Sequence, residues 1–183
     1  MAIKISGDGS ITGISTGGLP DGTITAAELS TKTFVSYAII QDQKAQNTPG
    51  GSFTSGDWRT RDLNTVVSDA DSIVSLSNNQ FTLGAGTYLI RWSAPAYTVE
   101  QNQTRLYNAT TPGYFAPGTI EYTRSSTGEP SRSTGVGRIT IASPTAFEVR
   151  HVCVTTSAGA NGFGVPGGFT TEVYTSVEIY KEA

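Results

Sequence analysis

The sequence predicts an all-β protein, a two-sheet sandwich or jelly roll, on three observations. From Lys32 onward, eight to ten short β-type runs are separated by Gly-, Pro-, Ser- and Asn-rich turn clusters. No segment longer than about two turns carries apolar residues at helical spacing. Thr, Val, Ile, Tyr and Phe are plentiful, and 21 glycines punctuate them.

Residues 1–31 stand apart as a leader, followed by a head over 32–183. The phrase Asp-Gly-(Ser/Thr)-Ile-Thr occurs twice in the leader, at 8–12 and at 21–25. Each Asp-Gly favours a tight turn, because Gly accepts positive φ and Asp can bond its own backbone. The Ser/Thr-Ile-Thr that follows favours a short extended piece. Thr25 and Glu28 fit a capping box, which predicts one helical turn from Ala26. Ile3, Ile5, Ile11, Ile14 and Ile24 cannot build a core inside so short a segment, so they call for a surface from elsewhere. Without one, this composition gives a disordered tail.

In the head, FVSYAIIQDQ (34–43) is the first strand, followed by the Gly/Ser loop TPGGSFTSGD (48–57). WRTRDLNTVV (58–67), SIVSLS (72–77) and NNQFTL (78–83) come next, and the last enters a turn at Gly84-Ala85-Gly86. TYLIRWSAPAYTV (87–99) contains Pro95, which marks an edge or a bulge. NQTRLYNAT (102–110), TIEYTRSS (119–126), GRITIAS (137–143), AFEVRHVCVTT (146–156) and TEVYTSVEIYKE (171–182) complete the set.

Alternation assigns faces. Tyr88, Ile90 and Trp92 share one side of their strand, as do Phe147, Val149 and Cys153 of theirs. In the last strand Val173, Val177 and Ile179 oppose Glu172, Tyr174, Ser176, Glu178 and Tyr180. Tyrosines among carboxylates on an outer face fit a subunit contact, because amphipathic Tyr is enriched in interfaces. Tyr174 and Tyr180 are therefore either subunit-contact candidates or partly exposed surface aromatics.

Composition narrows the chemistry. Charged residues make up 15% of the chain and the net charge is −3, which provides no electrostatic footprint for nucleic acid. A sequence this poor in charge suits an assembly that hides part of its surface. The N-terminus lacks the apolar stretch of a secretory signal, and no run is long enough to span a membrane. The single cysteine, Cys153, excludes an internal disulfide, and no Cys/His cluster has zinc spacing. No cofactor or metal is expected.

The lone histidine, His151, lies at period two with Val149 and Cys153, the position of a core histidine rather than a base. Cys153 reads as an inert buried thiol. Asp69-Ala70-Asp71 resembles a fragment of a calcium loop without its remaining oxygen ligands. The glycine stretches lack the Gly-Lys-(Ser/Thr) that would cradle phosphate. An enzyme is not expected. The remaining signal lies in loop aromatics. NGFGVPGGF (161–169) carries Phe163 and Phe169, and NATTPGYFAPG (108–118) carries Tyr114 and Phe115. These either grip a partner or fold back as plugs under their loops.

YAIIQDQKAQNTPGGSFTSGDWRTRDLNT, FTLGAGTYLIRWSAPAY, QTRLYN and the NGFGV and TEVYTSVEIYKE phrases resemble the C-terminal domain of bacteriophage tail-fibre and related virion proteins. That domain is similar to the C1q and tumour-necrosis-factor jelly roll, which assembles as a homotrimer. The resemblance covers residues 34–182. The leader ITGISTGGLPDGTITAAELS looks like the lead-in that attaches such fibres to the particle or threads a trimeric stalk.

The resemblance implies a short trimeric tail fibre on a virion, at the tail or baseplate rather than the capsid, made in the host cytoplasm. Its N-terminal isoleucines would hold other virion proteins or their own copies. Its head would recognise a host surface glycan or protein through Tyr114, Phe115, Phe163 and Phe169, with neither nucleic acid nor membrane insertion involved. Two alternatives remain: a capsid decoration or head-fibre protein, and a bacterial C1q-like module serving as an adhesin or spore-surface component.

Overall fold

The computed structural model describes the backbone of Lys4–Ile5 and Ile11–Thr12, together with residues 33–124 and 126–183. The chain divides into two units, Met1–Lys32 and Thr33–Ala183. In the first, β1 (Lys4–Ile5) and β2 (Ile11–Thr12) pair antiparallel, with Lys4 opposite Thr12 and Ile5 opposite Ile11. Ile3, Ile14, Ile24, the capping box and both Asp-Gly steps lie outside the described residues.

The second unit contains eleven strands among the described residues. They are β3 (Phe34–Lys44), β4 (Arg59–Thr60), β5 (Thr65–Ser68), β6 (Val74–Ser77), β7 (Gln80–Leu83), β8 (Gly86–Tyr97), β9 (Glu100–Asn108), β10 (Gly113–Thr123), β11 (Pro130–Ile141), β12 (Thr145–Cys153) and β13 (Glu172–Glu182). All pairings are antiparallel. A front sheet runs β5-β3-β13-β8-β11 and a back sheet runs β10-β9-β12-β7-β6, with β4 also on β12. From β7 to β13 the chain repeatedly changes sheet, the crossing pattern of a jelly roll. The two sheets meet at a single backbone pairing, Gly118 opposite Gly135.

The inward faces interlock into one core of Ala38, Ile40, Phe81, Leu83, Tyr88, Ile90, Trp92, Leu106, Ile139, Phe147, Val149, Val177 and Ile179, all nearly or fully buried. Each large side chain so buried is worth roughly 1.5–3 kcal/mol. Trp92 reaches across the sandwich, and its Nε1 donates to Thr104 Oγ1 at 2.9 Å. A smaller cluster of Phe53, Ala96, Val99 and Cys153 closes one end, with Phe163 packed against it.

The predicted strand over 58–67 is two strands in opposite sheets, β4 beside β12 and β5 beside β3. Between them the chain dives inward, where Arg61 and Leu63 are buried and Arg61 N donates to Val149 O. β10 and β11 each begin about six residues earlier than predicted. The glycine and proline residues there read as loop, yet Pro130–Ile141 pairs with β8 along its whole length. Pro95 sits where β13 has stopped pairing with β8 and only β11 remains alongside, so its missing N–H costs no ladder bond.

Candidate functional site

The loop between β12 and β13 is anchored from beneath by Arg61, which is 1% exposed. Its Nε donates to Thr175 Oγ1 (3.0 Å), Nη1 to Pro95 O (3.3 Å) and Nη2 to Phe163 O (2.8 Å). The guanidinium carbon lies 4.0 Å from the Phe163 ring centre. Burial pulls the Arg61 pKa down to about 9, with Asp42 and Asp62 opposing the shift, so it remains a cation at neutral pH. Phe163 also packs on Phe53, ring centres 4.5 Å apart. The expectation that Phe163 contacts a receptor is therefore corrected: its ring is a plug sandwiched between Phe53 and Arg61.

The other half of the loop hangs on Glu172. This carboxylate accepts backbone N–H bonds from Asn47 (3.0 Å), Gly167 (2.8 Å) and Gly168 (2.8 Å). Those donors, led by Gly167 and Gly168, hold its pKa below the ordinary glutamate value. Gln46 Nε2 donates to Gly168 O, and Gly168 takes φ 74°, a conformation that favours glycine. The next residue, Phe169, is 92% exposed. A clamped loop thus holds an apolar ring out in water.

Tyr174 requires a second correction. It is 3% exposed, and its hydroxyl donates to Thr48 O at 2.7 Å inside its own subunit. The cause is a bulge in β13: its register against β3 slips between Val173 and Ser176, so the alternation inverts there. Glu172 and Tyr174 face inward before the bulge, and Val177 and Ile179 after it. Tyr180, beyond the bulge, keeps the outer face. Its ring centre is 5.3 Å from that of Phe34, and its hydroxyl donates to Glu178 Oε2.

Tyr114 and Phe115 open β10 at a bulge and are 58% and 40% exposed, while Ala116 turns inward. Phe115 packs beside Gly137, whose partner on β8 is Ile90. The Phe169 loop instead docks near Pro95. Five residues along a strand separate those positions, about 17 Å. The loop aromatics therefore form two separate surfaces.

His151 is fully buried, its Nε2 lies 2.9 Å from Asn102 Oδ1, and its ring lies against Phe53. Burial, reinforced by Arg61, lowers its pKa well below the usual histidine value, so it is a neutral core group. Burial raises the Cys153 thiol to about 11, so it is not a thiolate at neutral pH. Asp69 accepts from Ile73 N and Val74 N, which makes it a turn-capping carboxylate. Among the described residues no three metal-ligating side chains converge.

The outward face of the front sheet was not foreseen as a unit. Strand register sets Tyr37, Tyr180 and Leu89 in one row, and Ile39, Glu178, Arg91 and Val136 in the next. Tyr37 is 52% and Val136 58% exposed. Beside these rows a groove of about 790 Å³ runs from Leu89 and Arg91 to Pro117 and Thr119 on β10. The hidden signal was the pairing of strands far apart in sequence, which brings scattered apolar residues together.

No protein-family model matches the chain, and no curated protein matches it in sequence. Solved structures do. Murine APRIL at pH 5.0 is similar with a TM-score of 0.52 and 11% identity, over 80% of this chain and 98% of that one. The globular domain of zebrafish complement 1qA gives a TM-score of 0.46 and 13% identity, over 79% and 94%. Together with the sheet order, the likeness to APRIL shows the fold: residues 33–183 form a C1q/TNF-like jelly roll.

Proposed function

We propose that this chain is a non-enzymatic structural protein of a bacteriophage particle, a short homotrimeric tail fibre that recognises the host surface with its jelly-roll head. The observation that carries the reading is Phe169, 92% exposed on a loop held by Glu172 on one side and Arg61 on the other. Phe is enriched in the cores of interfaces, so a ring kept in water by a rigid mount is suited to gripping a partner. The resemblance to phage fibre proteins supports the particle and its leader as the attachment segment. The front-sheet rows support self-association, because an outer face carrying Tyr37, Leu89, Val136 and Tyr180 around the cross-strand pair of Arg91 and Glu178 gains by being covered. Three weak sites on one trimer, and several trimers on one particle, would combine into firm adhesion.

The test is competition. Purified full-length protein added to host cells should block adsorption of the phage that encodes it, and the Phe169→Ala protein should block it less. Immunogold labelling of particles with antibody to residues 33–183 should mark the tail. Label spread over the head, with no block of adsorption, would replace this reading by a capsid decoration role.

A further inference from the structure

The outer face of the back sheet carries an arrangement separate from the Phe169 loop. Arg105 on β9 stands directly opposite Arg150 on β12. Like charges in that position destabilise a sheet, and opposite charges are the favourable choice. Here aromatic rings intervene instead. The Arg105 guanidinium carbon lies 3.9 Å from the Trp58 ring centre and 5.1 Å from that of Tyr107. Arg150 lies 3.5 Å from the same Tyr107 ring. The result is a ladder of Trp58, Arg105, Tyr107 and Arg150, all half-buried and so within reach of solvent.

The two arginines differ in their partners. Arg150 donates through Nε and Nη2 to Glu148 Oε1 at 2.9 and 2.6 Å, and Thr60 takes the other Glu148 oxygen. That carboxylate is fully committed. Arg105 makes no ion pair among the described residues, and Asp57 and Glu148 act on it only through space. Its Nε–H is buried without an acceptor. Tyr114, opposite Tyr107 on β10 and 58% exposed, continues the aromatic surface.

We propose that this ladder binds an acidic polysaccharide, with sugar faces stacking on Tyr114 and on the side of Trp58 away from Arg105, and a uronate carboxylate accepting from Arg105. Charge complementarity selects that occupant. Arg105 stands in no ion pair among the described residues and is flanked by aromatic faces, and a uronate carries its carboxylate on a sugar ring that can stack beside it. Nucleic acid is held by several Lys and Arg side chains neutralising phosphates together, and of the two arginines of this ladder one is already committed to Glu148. The inference rests on the host-recognition reading and supplies its ligand class.

The experiment measures binding of the full chain to alginate, a uronate polymer, beside neutral dextran and a single-stranded oligonucleotide at the same salt. Alginate should bind saturably and dextran should not. Arg105→Gln should weaken alginate binding at least tenfold with its melting curve and oligomeric mass unchanged, and Arg105→Lys should restore part of it. Alginate affinity of the native chain should also fall with rising salt, which tests the charge contact without any variant. Equal binding by Arg105→Gln, equal retention on dextran, or tighter binding to the oligonucleotide would overturn the proposal. Adsorption competition separates the two ideas. If Arg105→Gln binds alginate like the native chain yet the protein still blocks adsorption, this site falls and host recognition stands. If the native chain binds alginate through Arg105 but blocks nothing, the site stands and host recognition falls.

Discussion

Gly118 faces Gly135 across the one backbone pairing that joins the two sheets, and neither position has room for a side chain. A Cβ on Gly135 would lie 2.0 Å from the Trp92 ring, and one on Gly118 would lie 2.2 Å from Thr104 Oγ1. The hydrogen bonds beneath them are ordered. Ser133 Oγ donates to Thr119 O and Thr104 N donates to Ser133 Oγ, so Thr104 Oγ1, taking Trp92 Nε1–H, is left to donate to Ser133. Gly135→Ala and Gly118→Ala should each destabilise the head by about 1–3 kcal/mol, the usual range for overpacking. Gly84→Ala and Gly159→Ala, which meet nothing within 4 Å, should unfold with the native midpoint. Urea unfolding of the four variants checks the contrast, and equal midpoints would refute it.

Phe163 and Phe169 share one loop and should separate cleanly under mutation. Removing the Phe163 ring takes away the stack beneath Arg61 and the contact with Phe53. Phe163→Ala should cost about 2–4 kcal/mol, near the range for buried aromatics. Phe169→Ala should change stability by no more than about 0.5 kcal/mol, as for other surface sites. Thermal melts measure both. A large loss with Phe169→Ala would mean that its ring is covered in the assembled protein.

The sequence made the sandwich legible because most strands alternate strictly, as in Tyr88, Ile90 and Trp92, all buried. Alternation fails at a bulge, and so Tyr174 was placed on the wrong face. It also misses strands made of small and turn-type residues: the Gly113–Gly118 and Pro130–Val136 stretches earn their place by pairing with distant partners. Arg61 stayed hidden for another reason. A charged residue in a polar-looking run gives no sign that three acceptors from three distant segments wait for it. Phe169 was legible as an aromatic in a glycine-rich loop, but its exposure depends on the Glu172 clamp.

His151 sets the first acid sensitivity of the fold. It is neutral when folded, with its pKa lowered by burial, whereas in the unfolded chain it takes a proton near pH 6.5. The unfolded state therefore binds more protons below that pH, and stability falls as pH drops from 6.5 towards the folded value. The slope from this one group approaches about 1.4 kcal/mol per pH unit. Urea midpoints between pH 7 and pH 5 should fall for the native chain. In His151→Gln, which keeps a donor for Asn102, that part of the decline should vanish.

Glu172 acts at lower pH. Its folded pKa is lowered by the three backbone donors, so its clamp is complete above the unfolded glutamate value of about 4.3 and weakens as pH falls through the folded value. At neutral pH, Glu172→Gln should mimic the acid state by removing the charge. Chymotrypsin should then cut after Phe169 faster than in the native loop, while a chain still folded resists cutting elsewhere. An unchanged cleavage rate would show that the carboxylate does not hold the loop.

The front-sheet rows make the strongest demand on the proposed trimer. Val136 is 58% exposed and lies directly opposite Arg91 on β8, so an arginine placed there costs the isolated subunit only the like-charge penalty of a solvated cross-strand pair, no more than about 1 kcal/mol. Covered by a neighbouring copy, the same charge would be stripped of water beside Arg91 without a partner, a penalty of several kcal/mol per ion. Val136→Arg should therefore lower the sedimenting mass from three subunits to one while its circular dichroism stays that of a β sandwich. Lys181→Arg, a change of cation within the same sheet, should leave the trimer whole. A Val136→Arg protein that still sediments as three subunits would move the contact off this face, and β10, with Ile120 73% exposed, would be the next surface to test.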